Sequence, residues 1–378
     1  MPTTAQRYRD YTGLALFSMG FRPFFFAAGV WAALALPLWI AGFLGWLAGI
    51  DRNWHVHEML FGYLSSVIAG FLLTAIPNWT GRLPVMGAPL AGLFALWCAG
   101  RVAMLVGPGT LAGAIVDSLF LVALGLVVAR EVIAGKNTRN LPVCLLIALL
   151  AAANILTHLR GANADLAALG ERAGIAFVAM LIALIGGRIT PSFTRNWLAK
   201  RQTQHLPAPA GRFDLVVLAS SALALAFWVA VPDAKATGAL LAPCGLLHLA
   251  RLTRWRGWLC LSEPLVWILH AGYAWLALGL VLLGASVLAP ATFPNAAAIH
   301  AITAGAFGVM TLAVMTRATR GHTGQDLAAD AGTTIVYVLV NVGALVRVAA
   351  PFFASFYAPL VIAAATFWSG AFVVFVVC

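Results

Sequence analysis

Long apolar runs, separated by short polar stretches rich in Gly and Pro, make up most of this 378-residue chain. A membrane-spanning helix needs about 20 mostly apolar residues. On that rule the pattern predicts an all-α polytopic membrane protein with twelve transmembrane helices. The predicted helices cover residues 22–47, 55–76, 88–106, 109–130, 141–158, 170–188, 213–231, 236–250, 264–284, 296–317, 330–349 and 354–377.

Positive charges fall on alternate connections between these helices. With a cytoplasmic amino terminus, most of the 23 Lys and Arg residues lie in cytoplasmic segments, as the positive-inside rule requires. We therefore expect both termini to be cytoplasmic. We also expect a single integral-membrane domain, residues 1–378, built from two six-helix halves, 1–193 and 212–378, which a cytoplasmic linker at 194–211 joins. The halves show no clear repeat, which weakens an inverted-repeat transporter.

Composition supports a membrane protein and removes several other classes. Hydrophobic residues make up 62% of the chain and charged residues only 9%, whereas soluble domains carry about 25% charged residues. The net charge of +11 is explained by cytoplasmic loops, so we expect no nucleic-acid partner. The five cysteines form no C-x-x-C or C-x-x-C-H motif, which argues against a cysteine-ligated cluster and covalently attached haem.

The most informative polar residues lie at the start of the second predicted helix, within the segment 54–59 (Trp-His-Val-His-Glu-Met). Ionisable groups in hydrocarbon are normally paired, ligated or functional. On a helix His55 shares a face with Glu58, whereas His57 points elsewhere. His300 opens the tenth helix at a matching depth. We predict that His55, His57 and His300 bind a metal, since imidazole suits haem iron, copper and non-haem iron.

Glu58 and His57 are the predicted catalytic residues, with Glu58 as a proton donor. The alternative for the whole segment is that its polar side chains are solvated at the membrane interface. A second set of polar residues falls near the opposite, inner face. From His300 to His322 the chain covers roughly 33 Å as a helix, about one bilayer thickness, so one helix can reach both depths.

Arginines near His322 suit haem propionates, or they anchor the helix by the positive-inside rule. The predicted haem-binding residues are His55, His270, His300, His322, Arg317 and Arg320, with His248, Tyr273, Arg22 and Arg82 as further candidates.

Other polar residues in the predicted spans have a structural interpretation. Arg101 and Asp117 lie about equally far from the turn at 107–109, so we expect an ion pair within one helical hairpin. Asn154 and His158 are neighbours on a helix face and are expected to form hydrogen bonds between helices.

Five segments together resemble the NnrS family. They are SMGFRPFF (18–25), WHVHEMLFG (54–62), GFLLTAIPNWTG (70–81), LHAGYAW (269–275) and MTRATRGHTG (315–324), and the resemblance runs from about residue 14 to 330. It implies a bacterial inner-membrane protein of nitric oxide metabolism that contains haem and copper and is linked to denitrification and nitrosative-stress resistance.

The leading hypothesis is therefore a haem b protein, possibly with copper or non-haem iron, that reduces nitric oxide to nitrous oxide with electrons from quinol. Two alternatives stay open. One is a haem-binding nitric oxide sensor or assembly factor without turnover. The other is a transporter or metal-delivery protein, for which buried histidines in many helices would also serve.

Overall fold

The computed structural model describes residues 6–7 and 10–378, and these residues form helices and connections without a β-strand. Twelve long helical segments follow one another along the chain. They are α1 Phe21–Phe43, α2 Arg52–Thr80, α3 Ala88–Val106, α4 Leu111–Ala134, α5 Thr138–Gly161, α6 Ala164–Ala199, α7 Arg212–Ala230, α8 Lys235–Thr253, α9 Pro264–Leu288, α10 Asn295–His322, α11 Ala331–Phe352 and α12 Ala354–Val377.

Each predicted span corresponds to one of these helices. Within the described residues, eleven helices are long and apolar enough to cross a membrane, all except α8. The count of twelve spans and the orientation of the termini stay predictions. The largest error in bounds concerns α6, which continues to Ala199 instead of ending near residue 188. Its last turns are polar, so the apolar run ends before the helix does.

Side chains at the helix starts explain where several helices begin. Asp51 accepts a 2.8 Å hydrogen bond from the Trp54 main-chain N–H at the start of α2. Asp330 accepts one of the same length from the Thr333 N–H at the start of α11. Such caps satisfy main-chain donors that the first helical turn leaves unpaired. At its other end α2 stops at Gly81, which has a left-handed φ of 67°, the conformation that glycine adopts most easily.

The chain divides into two compact units, Met1–Phe177 and Val178–Cys378. In the first unit α2 packs against α1 and α4, and α4 packs against α3 and α5. In the second, α9 packs against α8, α10 and α11, and α12 packs against α11. The division falls inside α6, whereas the predicted boundary between six-helix halves, at 194–211, stays a prediction.

Three helices contain a π-helical turn: Glu58–Tyr63 in α2, Ile182–Gly186 in α6 and Ala301–Phe307 in α10. A π turn carries one residue more than an α turn and leaves main-chain groups available to other partners. In α2 the Gly62 carbonyl accepts a 2.9 Å hydrogen bond from Trp97 Nε1. In α6 the Ala183 carbonyl accepts one of 2.9 Å from Arg251. Hydropathy does not reveal these turns, and two of them lie beside buried polar clusters.

Candidate functional site

His57 lies at the centre of a buried polar cluster in the first unit. Its Nδ1 is 2.9 Å from Glu58 Oε1. Its Nε2 is 3.1 Å from Asp117 Oδ2 and 3.0 Å from Asn154 Oδ1. His158 Nε2 lies 3.0 Å from the same Asp117 oxygen. Four helices, α2, α3, α4 and α5, contribute side chains to this cluster, which we call the His57 cluster.

Arg101 joins the two carboxylates of the His57 cluster. Its Nη1 lies 2.6 and 2.5 Å from the two oxygens of Glu58, and its Nη2 forms an ion pair with Asp117. Glu58 is fully buried and the Arg101 side chain is only 5% exposed. Buried charges are stable only when they are paired and hydrogen-bonded. The predicted pair of Arg101 with Asp117 is thus confirmed, and it belongs to the same network as the predicted catalytic residues.

Gly62 allows this close packing. A Cβ atom there would lie 2.5 Å from Arg101 Nη1, 2.8 Å from Glu58 Oε2 and 3.0 Å from Trp31 Nε1. Such distances are shorter than any real carbon contact, so a side chain at residue 62 would displace the guanidinium. The glycine in the π turn of α2 is therefore needed for the Glu58–Arg101 contact.

A cleft of about 1100 Å³ in the first unit has His57 and His158 in its lining. Much of the rest is apolar, including Met104, Ile115 and Leu119. Pockets of this size bind small molecules and often combine apolar walls with a few placed polar groups. Glu58 and Arg101 do not line the cleft, so the two imidazoles form its contact with the buried charges.

Three members of the cluster could hold a metal ion. One ligand atom from each of His57, Asp117 and His158 lies within 4.8 Å of the other two. The predicted metal set was instead His55, His57 and His300. In the first unit His55 stacks on the Trp39 ring, with centroids 4.4 Å apart, while His57 faces the cluster. The separation of His55 from His57 on the helix is confirmed.

His300 belongs to the second unit, and its Nδ1 lies 2.7 Å from the Ala296 carbonyl oxygen, one turn earlier in α10. A site shared by His300 and the two histidines of α2 stays a prediction. Sequence reasoning treated Asp117, Asn154 and His158 as structural. The signal that could have drawn attention to them was their number, since three polar side chains in apolar spans need partners.

The second unit contains a separate polar network around Tyr273. Arg251 Nη1 donates to the Tyr273 hydroxyl at 2.7 Å, and the Tyr273 hydroxyl lies 2.8 Å from His248 Nδ1. The other nitrogen of His248 is 2.7 Å from Ser221 Oγ. Arg251 Nε donates to Asp214 at 2.8 Å. Both ring nitrogens of His248 are therefore engaged by protein groups, which argues against a metal-ligand role for His248 in this arrangement.

His270 has a different environment. Its Nε2 lies 2.8 Å from Thr194 Oγ1, which itself donates to the Thr190 carbonyl at 2.8 Å. The hydroxyl proton is thus used, so His270 Nε2 carries the proton of that bond. The buried Nδ1 has no hydrogen-bond partner among the described residues. An unpaired imidazole nitrogen suits an axial haem ligand.

Gly257, however, lies directly against that nitrogen, and a Cβ at residue 257 would collide with the ring. Iron could bind His270 Nδ1 only if the turn Gly257–Cys260 moved. The residues around His270 therefore do not form a haem site as they are arranged, and no reaction step is assigned to haem here.

The predicted arginine sites contact protein groups. Arg320 pairs with Asp330 at 2.6 Å, and Arg82 pairs with Glu131 at 2.5 Å. Arg317 lies over the Phe193 ring, 3.9 Å from its centroid. Arg22 donates to the Ala15 carbonyl at 3.3 Å. His322, at the end of α10, is exposed. A role of these residues in haem binding stays a prediction.

The fold and the cluster together define a class: a multi-pass helical membrane protein whose first unit holds a buried His–Asp–Glu–Arg network beside a cleft. The chain matches the family model described as NnrS protein over residues 15–378 and belongs to the NnrS family. The predicted resemblance is thereby confirmed over nearly the whole chain. Comparison with curated proteins gave no match. Membership fits a membrane protein related to nitric oxide, in a family associated with haem and metal binding.

Proposed function

We propose that this protein acts on nitric oxide within a bacterial inner membrane and reduces it. Two NO molecules, two electrons and two protons give one nitrous oxide and one water. Quinol is the proposed electron donor, because quinol dissolves in the bilayer and a chain with 9% charged residues has little room for a soluble electron-carrier domain. The role would be detoxification of nitric oxide or denitrification.

The observation that carries this proposal is the position of the His57 cluster beside the cleft. Ionisable residues within membrane-spanning helices are costly and therefore suggest a functional site. Nitric oxide is small and apolar, so it partitions into lipid and suits a cleft with apolar walls. The two histidines in the lining bring polar groups to a space that such a substrate can enter.

Protons for the reaction would pass through His57. Arg101 holds both oxygens of Glu58, which favours the ionised carboxylate, so Glu58 is placed to accept a proton and not to hold one permanently. His57 Nδ1 donates to this carboxylate across 2.9 Å, and the His57 ring lies between Glu58 and the cleft. We therefore assign proton transfer to the His57–Glu58 pair, instead of to Glu58 alone as the sequence suggested.

Haem b, which the family implies, would supply an electron-transfer centre when bound. Its presence is tested directly by a visible spectrum of detergent-purified protein. A Soret band would support haem, and a colourless protein without bound iron or copper would favour the transporter or metal-delivery alternative.

Turnover is tested anaerobically with a nitric oxide electrode, a reduced quinol and gas chromatography of the products. We expect consumption of two NO for each N2O formed. His57→Ala should abolish it, and Glu58→Gln should lower it by about 10²- to 10⁴-fold, the usual contribution of acid–base catalysis. His205→Ala, at an exposed position, is the matched control. Binding of NO without formation of N2O would contradict the reductase and favour a sensor or assembly factor.

A further inference from the structure

The His57 cluster brings three potential metal ligands together from three helices. His57 lies just before the π turn of α2, Asp117 lies on α4, and His158 follows the last α-helical turn of α5. We propose that His57 Nε2, Asp117 Oδ2 and His158 Nε2 bind one divalent first-row transition-metal ion. Neither Asp117 nor His158 stands out in the sequence as a metal ligand, and His55 and His300 are not part of this set. The proposal does not depend on nitric oxide chemistry.

The spacing of the donor atoms matches the edge of a coordination polyhedron. Metal bonds to imidazole nitrogen and carboxylate oxygen are about 2.1 Å long, so neighbouring donors at angles of 90–109° are roughly 3.0–3.4 Å apart. Asp117 Oδ2 lies 3.1 Å from His57 Nε2 and 3.0 Å from His158 Nε2. All three atoms lie within 4.8 Å of one another. An ion can therefore be accommodated with little movement of the ligands.

The groups around the donors have the arrangement that orients metal ligands. A metal-bound histidine usually donates its second ring N–H to a carboxylate or carbonyl oxygen. His57 does so, with Nδ1 at 2.9 Å from Glu58 Oε1. Arg101 binds the Oδ1 atom of Asp117 and leaves Oδ2 directed at the two histidines. Asn154 Nδ2 donates to that same Oδ2 at 2.8 Å and fixes its direction.

Charge and access also favour a cation. With neutral imidazoles, the carboxylates of Glu58 and Asp117 carry two negative charges, and Arg101 compensates one of them. Two imidazoles and one carboxylate form a set that is typical of non-haem iron(II) and that leaves coordination positions open. His57 and His158 both line the cleft of about 1100 Å³. A small exogenous ligand could therefore reach the open positions.

The proposal is tested by metal binding to full-length protein in detergent, without nitric oxide or quinol. After removal of adventitious metal by chelation, anaerobic titration with Co(II) is followed by its d–d absorption, and bound cobalt is measured by mass spectrometry. We expect one saturable Co(II) site per chain. His158→Gln should weaken binding by at least about tenfold, and Glu58→Gln, which leaves the ligands intact, by about 10- to 100-fold.

Two controls separate loss of metal from loss of fold. The glutamine in His158→Gln can still donate a hydrogen bond to Asp117, so gel filtration and helicity should match the wild type. His205→Ala, at an exposed position in the connection between α6 and α7, should bind Co(II) as the wild type does. Absence of saturable Co(II) binding in the wild type would overturn the proposal, and so would equal binding by well-folded His158→Gln protein.

Discussion

Arg101 is the residue on which the stability of the His57 cluster most directly depends. Its side chain is 5% exposed and reaches both oxygens of Glu58 and one of Asp117. In Arg101→Met the two carboxylates would lose their only arginine. Removing one partner of a buried ion pair costs about 3–5 kcal/mol, which lowers the ratio of folded to unfolded protein roughly 100- to 4,000-fold.

The measurement is thermal unfolding of detergent-solubilised protein, followed by helicity and tryptophan fluorescence. A loss of this size corresponds to a midpoint lower by about 6–20 °C for a domain of ordinary size. Adding Glu58→Gln to Arg101→Met should recover much of the loss, because it removes one of the uncompensated charges. Arg130→Met, at a side chain that is 67% exposed, should leave the midpoint nearly unchanged.

Two results would refute this reasoning. If Arg101→Met unfolded at the same temperature as Arg130→Met, the ion pair would contribute nothing to stability. If Glu58→Gln lowered the midpoint of Arg101→Met further, the loss would arise from packing and not from uncompensated charge.

Three further predictions concern the second unit. Arg251→Met should lower the unfolding midpoint by a similar amount, since Arg251 is 2% exposed and holds a buried carboxylate at 2.8 Å. Gly257→Ala should cost about 1–3 kcal/mol of stability, because its Cβ would lie 2.6 Å from His270 Cγ, and thermal unfolding checks this. The N–H and hydroxyl of Thr333 hold the pKa of Asp330 well below its usual range. This stabilisation is present above about pH 4 and is lost as pH falls further, so Asp330→Asn should flatten acid unfolding, measured by helicity.

Each of these predictions has a matched control. Arg254→Met, at a half-buried arginine over the Phe213 ring, should be much milder than Arg251→Met. Gly211→Ala introduces a Cβ with nothing within 4 Å, so it should be tolerated where Gly257→Ala is not. For Asp330→Asn, the idea fails if the variant and the wild type lose helicity with the same pH dependence.

Helix positions could be predicted well from the sequence because the apolar runs are long and Gly and Pro punctuate them. The pairing of Arg101 with Asp117 followed from a local rule, equal distance from one tight turn, and is confirmed. The separation of His57 from His55 followed from helix geometry. Both inferences needed only one hairpin or one helix.

The rest of the cluster depends on how four helices pack, which the pattern of a single chain does not encode. His158 lies about 100 residues beyond His57 in the chain, and nothing in its local sequence distinguishes it from an interfacial histidine. The matching depth of His300 favoured a partner that no described contact tests. The extension of α6 to Ala199 was missed because a polar helix end and a polar loop have the same hydropathy.

The π turn at Glu58–Tyr63 makes the cluster sensitive to the length of the chain as well as to its composition. Deleting one residue from this turn would restore a regular α-helix, with good geometry and the same apolar character. It would also rotate everything before the turn by about 100° relative to residues 64–80. His57 would then point away from Asp117 and Asn154 although no side chain of the cluster had changed. A shortened α2 would still be a sound membrane helix, and the protein would have lost its site through a shift of phase alone.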